Sequence, residues 1–180
     1  MMFLRSSVAA IASIAFAANA AAETKLTEFN GVWRGAGQDR NSPLQSLQDT
    51  TCENTVRATP QRMRIEMTCE SKAGTRKVVR LNATLEGDQF TGRINQSTTQ
   101  PGREDSVIGG TLSGKKTDSS ASFIVDWKGM TPNATVDLKL NTPTSYSMKA
   151  AALGITMMDL TFNRTSDRAP PRQPRQRPPR

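Results

Sequence analysis

Between Arg62 and Asn95 apolar and polar residues alternate almost without a break, and this leaves the chain few ways to fold. Met63, Ile65, Met67 and Cys69 fall on one face of Arg62–Glu70, with Arg64, Glu66, Thr68 and Glu70 on the other. A period of two belongs to a β-strand with one buried side. Val79, Leu81, Ala83 and Leu85 repeat the pattern, Gly87-Asp88 supplies a two-residue turn, and Phe90, Gly92 and Ile94 carry it back. Keeping every apolar or small residue on one face sets the register. Leu85 then opposes Phe90, Ala83 opposes Gly92 and Leu81 opposes Ile94.

The preceding hairpin makes a covalent prediction. Thr51–Thr59 places Cys52, Asn54, Val56 and Ala58 on one face, and Pro60 punctuates the turn. If Ala58 opposes Met63, then Val56 faces Ile65, Asn54 faces Met67, and Cys52 faces Cys69. Directly opposed Cβ atoms lie about 4.5–5.5 Å apart in an antiparallel pair. A disulfide needs about 3.5–4.5 Å, within reach at the closer pairs. The spacing therefore predicts a cross-strand Cys52–Cys69 bond closing a loop of about 18 residues and adding roughly 3 kcal/mol.

The rest of the chain reads the same way. A first strand runs from Phe29 to Gly37, with Phe29, Gly31, Trp33 and Gly35 on one face. Ser106–Gly114 is a glycine-rich strand whose Gly109, Gly110 and Gly114 suggest bulges or tight bends. Ala121, Phe123, Val125 and Trp127 alternate, as do Ala134, Val136, Leu138 and Leu140. The run from Tyr146 to Gly154 fits a short helix or a strand, and strand is preferred. Ile155–Arg164 closes the series, with Met158, Leu160, Phe162 and Arg164 on one face. No amphipathic helix of ten or more residues is visible. Consecutive hairpins and strand glycines point to an all-β fold, an antiparallel up-and-down β-barrel of about 8–9 strands.

Both ends differ from this middle. Residues 1–22 read as a secretory signal: Arg5, an apolar run of about thirteen residues too short to span a bilayer, then small-x-small cleavage sites at Ala18-Asn19-Ala20 and Ala20-Ala21-Ala22. No cysteine lies near the cleavage site, so the lipid attachment signature is missing. A periplasmic or secreted protein without a transmembrane segment is expected, and a monomer. Residues 168–180 carry five of the ten prolines and no acid, which reads as a disordered Arg/Pro-rich tail. The barrel domain is thus 23–167. Of the net charge of +8, Arg168, Arg172, Arg175, Arg177 and Arg180 supply five and Arg5 one, so the folded part keeps only +2. The basic character belongs mainly to the tail, which suits an anionic envelope component as partner. Nucleic acid is not expected as a partner.

Gly31-Val32-Trp33 on the first strand and Arg164 on the apolar face of the last resemble the lipocalin and wider calycin pattern. In that family a G-x-W tryptophan plugs one barrel end and a basic residue from the final strand packs across it. The resemblance implies the same role for Trp33 and Arg164. The chain has no T-D-Y motif and no C-terminal helix, both usual in lipocalins. Its size and single disulfide are also similar to small bacterial barrel inhibitors of metalloproteases, which begin with G-x-W.

Catalytic chemistry has little to stand on. The chain contains no histidine, so Ser-His-Asp and Cys-His sites cannot form and the commonest zinc and haem ligand is missing. Glu66, Glu70, Asp126 and Asp137 fall on polar strand faces. No phosphate-cradling glycine motif precedes a helix. No catalytic residue, metal or cofactor is therefore assigned, and the chain is not expected to be an enzyme. The expected function is binding of an apolar or amphiphilic small molecule at the barrel mouth, lined by Trp33, Phe90, Phe123, Trp127 and Arg164. The alternative is a protein-interaction module of the envelope, a peptidase inhibitor or an envelope-integrity factor, with the basic tail on anionic polymers.

Overall fold

The computed structural model describes residues 26–117, 119–129 and 133–167. The expected signal at 1–22 and the tail with Arg168, Arg172, Arg175, Arg177 and Arg180 lie outside these residues. A single 3-10 turn, Leu26–Phe29, leads into ten strands. They are β1 Gly31–Asp39, β2 Gln48–Thr59, β3 Arg62–Ser71, β4 Arg76–Glu86, β5 Gln89–Thr99, β6 Ser106–Lys116, β7 Ser120–Trp127, β8 Ala134–Thr142, β9 Ser145–Ala152 and β10 Ile155–Ser166. Each strand pairs antiparallel with its sequence neighbours, and β1 pairs with β10 to close the barrel.

The fold class is the expected one, but the strand count is ten, not 8–9. The preferred reading of Tyr146–Gly154 as a strand holds: its first seven residues belong to β9, which pairs with both β8 and β10. Tyr146 and Met148 point inward and Lys149 outward, so the period there is two. Phe29 is not part of β1. It ends the 3-10 turn, and Gly31, at φ +135°, redirects the chain into the sheet. A side chain at Gly31 would begin 2.5 Å from the Ser166 carbonyl oxygen.

Both predicted registers are observed: Cys52 opposes Cys69 and Val56 opposes Ile65, while Leu85 opposes Phe90 and Leu81 opposes Ile94. Cys52 and Cys69 are joined in a disulfide with Cα atoms 4.1 Å apart. The glycines of β6 do not mark bulges, because its register with β5 and β7 is regular throughout. Gly114 instead permits a close approach: a Cβ there would meet the Ser122 carbonyl oxygen at 2.0 Å. Irregularities occur elsewhere, at Val32/Trp33, Leu140/Thr142 and Thr156/Met158.

Up-and-down winding gives the barrel two unlike ends. The tight turns at Pro60-Gln61, Gly87-Asp88 and Pro143-Thr144 mark one, here called the floor. The longer connections 40–47, 72–75, 100–105 and 128–133, with the turn at Leu153-Gly154, mark the mouth. At the floor an aromatic cluster fills the interior. Trp33 and Phe29 meet Tyr146 edge-on at 4.8 and 5.8 Å, and Phe162 stacks on Tyr146 at 4.8 Å. Trp33 Nε1 donates to the Phe29 carbonyl at 3.0 Å. The Asn30 amide exchanges hydrogen bonds with the backbone of Ala58, fastening the 3-10 turn to the end of β2. Such geometry adds to the area term for buried rings.

Candidate functional site

Inward-facing side chains change size along the barrel axis. Toward the floor they are Trp33, Phe162, Tyr146, Phe90 and Phe123, all nearly or wholly buried. Toward the mouth β8 offers Ala134 and Val136, β9 offers Ala150 and Ala152, and β4 offers Val79. Large residues close one half, and small ones leave the other half open. The result is a cavity of about 320 Å³ walled by Ile65, Met67, Leu81, Trp127, Leu138 and Met148 among others. That volume lies at the lower end of the small-molecule range.

The polar residues on this cavity, Arg40, Asn41, Ser42, Lys77 and Gln96, gather on the mouth side. Lys77 projects inward from the start of β4 and reaches Asp39, at the end of β1, with Nζ–Oδ2 2.6 Å. Their side chains are only 6% and 7% exposed, so this is a buried ion pair rather than a surface one. Lys77 also donates to the Arg40 carbonyl at 3.0 Å. Arg40 donates from Nη1 to the carbonyls of Gln45, at 3.0 Å, and Pro43, at 3.4 Å, which folds the 40–47 loop over the cavity edge. Its Nε is buried without a hydrogen-bond partner.

The mouth carries a second, exposed pair. Lys72 Nζ lies 2.7 Å from Asp49 Oδ2, and their hydrogen bond holds the Asp49 carboxyl below, and the Lys72 ammonium above, its usual range. Around the same end Leu44 is 97%, Val107 73% and Leu153 67% exposed.

Of the five residues expected to line the mouth, Trp127 does so. Trp33, Phe90, Phe123 and Arg164 lie outside the cavity lining, toward the floor. Phe90 and Phe123 pack on each other at 5.0 Å between ring centres, and Arg164 lies 4.5 Å over the Trp33 ring. They are large, and the same bulk that made them conspicuous makes them fillers. Met67, Met148, Met157 and Met158 line the cavity, while Met63 is buried outside its lining.

The charged residues at the mouth have a signal in the strand alternation itself. Extending the inward period of β4 from Val79 back by two residues gives Lys77. Extending that of β1 from Gly37 forward by two gives Asp39, and that of β5 from Ile94 gives Gln96. Among the described residues no group of three or more acids or cysteines is placed to hold a metal ion. Among them, too, no helix is long and apolar enough to cross a membrane. No model of a known protein family matches the chain, and no curated protein matches it.

Proposed function

We propose that this is an exported barrel that binds an apolar or amphiphilic small molecule, and that the cavity between β3 and β10 is where it binds. The observation that carries the reading is the one-ended void: about 320 Å³, walled mainly by apolar side chains, in a barrel whose other half is packed solid. Unfilled apolar volume costs stability, because its lining forgoes dispersion contacts. Four methionines on the wall suit a ligand of variable shape, since the thioether chain adapts. The buried disulfide fits an oxidising compartment such as the periplasm. Trp33 beneath Arg164 supports kinship with calycin-type barrels. Native mass spectrometry of the oxidised protein purified from its own envelope is the test. A discrete mass excess, removed by solvent extraction and restored by added lipid extract, is expected. A single unliganded mass that no extract shifts would rule the reading out.

Leu44, Val107 and Leu153 at the rim favour a second reading, contact of the mouth with another protein of the envelope. Leu153 is the only non-glycine among the described residues with positive φ, at 54°, and it is 67% exposed. Under this reading Leu44→Ser with Val107→Ser, both outside the cavity lining, weakens partner capture by crosslinking yet leaves any bound small molecule in place.

A further inference from the structure

The charged side chains on the cavity edge do not balance, and the imbalance specifies a head group. Two cations and one anion meet there: Arg40, Lys77 and Asp39. Asp39 is committed to Lys77 at 2.6 Å. Arg40 has no carboxylate partner among the described residues, and its guanidinium spends its two bonds on the neutral carbonyls of Pro43 and Gln45. Each cation keeps at least one donor to spare. Arg40 Nε–H is buried with no acceptor. Lys77 has three N–H groups, of which Asp39 and the Arg40 carbonyl take two. Both side chains line the cavity, at the edge where its polar residues gather. Buried donors without acceptors are uncommon in folded proteins, and Arg40 Nε–H is one of them.

Resting on the carrier reading above, we infer that the ligand is a singly anionic amphiphile, a long-chain carboxylate in its simplest form. Its head lies between Arg40 and Lys77 at the mouth, and its tail points down among Met67, Val79, Val136 and Trp127. One negative charge restores neutrality. A carboxylate has two oxygens, one for each cation, and hydrogen bonds between charged partners are the strong ones. A cationic head would add a third positive charge to the notch. A neutral alcohol would accept one bond but leave the charge uncompensated.

The test is calorimetric titration of the oxidised, delipidated protein with dodecanoate, dodecanol and dodecyltrimethylammonium, each below its micelle-forming concentration. Dodecanoate should bind at least about tenfold tighter than dodecanol, the worth of a charge-assisted hydrogen bond, with the cationic amphiphile weakest. Arg40→Gln should bring dodecanoate down to the level of dodecanol measured on the same variant. Equal affinity for all three on the unaltered protein would overturn the head-group inference and leave the carrier reading standing. So would an Arg40→Gln protein, melting as the parent does, that keeps the preference. Binding of none of them would remove both. The three-ligand comparison on the unaltered chain decides by itself if Arg40→Gln does not fold.

Discussion

Trp33 and Arg164 oppose one another across the seam where β1 meets β10, with the guanidinium carbon 4.5 Å from the indole ring centre. The indole is fully buried, and Arg164 also donates to the Glu28 carbonyl and pairs with Asp167 at 3.1 Å. One side chain thus ties the last strand to the first strand and to the 3-10 turn. Arg164→Ala should cost about 2 kcal/mol or more, through the lost cation–π contact and the exposed ring. Arg164→Lys should recover only part, because an ammonium cannot lie flat on the ring. Urea midpoints of the three proteins check this.

Tyr146 is the chain's single tyrosine, and its hydroxyl accepts a hydrogen bond from Asn54 inside the floor cluster. Burial raises its ionisation far above the ordinary value for a phenol, and the Asn54 hydrogen bond only partly opposes this. A raised folded-state value means that the contribution to stability is intact below about pH 10, where the unfolded chain ionises, and falls away as pH rises beyond it. Alkaline titration should therefore show phenolate absorbance appearing together with unfolding, not before it. Tyr146→Phe should be less stable at neutral pH, since Asn54 loses its partner, but should lose about 1.4 kcal/mol less per pH unit above pH 10. Phenolate absorbance rising in a folded protein would contradict this.

The Cys52–Cys69 bond spans 17 residues of sequence. Its loss should lower stability by about 3 kcal/mol through the freed unfolded chain. The register of β2 against β3 rests on the alternation as well, so the barrel should survive reduction at room temperature. Melting curves with and without reductant, and alkylation counted by intact mass, give both answers.

The ion pair of Asp39 with Lys77 should be costly to break and cheap to replace. Asp39→Ala leaves a buried ammonium without its partner and should cost about 3–5 kcal/mol. Asp39→Leu combined with Lys77→Met should come within about 1 kcal/mol of the parent or exceed it. A denaturant double-mutant cycle separates the two, and near-additive losses would show that the pair is not coupled.

These predictions divide along the line of what one sequence exposes. The pairing of Cys52 with Cys69, and of Leu85 with Phe90, was legible because short turns leave one register in which every apolar residue faces inward. Local alternation is enough for that. The open half of the barrel was not legible, because it depends on comparing residues at equal height on different strands. Ala134, Ala150 and Val79 are unremarkable singly and make a cavity only together. Asp39 and Lys77 stand 38 positions apart at strand ends, where a charge usually faces water. Their burial follows from barrel closure, which no window of sequence contains.

Filling the cavity should separate binding from stability. Ala150 faces inward on β9 and is half-buried at the cavity wall. Ala150→Phe should enter existing space, change stability by less than about 1.5 kcal/mol, and abolish ligand binding. Calorimetry with dodecanoate reads the second effect and thermal melting the first. Undiminished binding would place the ligand somewhere other than the cavity.

The strand count has a practical corollary. Ten is even, so an up-and-down circuit brings the polypeptide back to the side from which it set out, and Leu26 and Asp167 both stand beside the plugged base. A resin, a dye or a fused domain joined directly at Leu26 or Asp167 therefore pulls from below. The entrance stays clear, and a barrel immobilised through either of those residues presents that entrance to the solution.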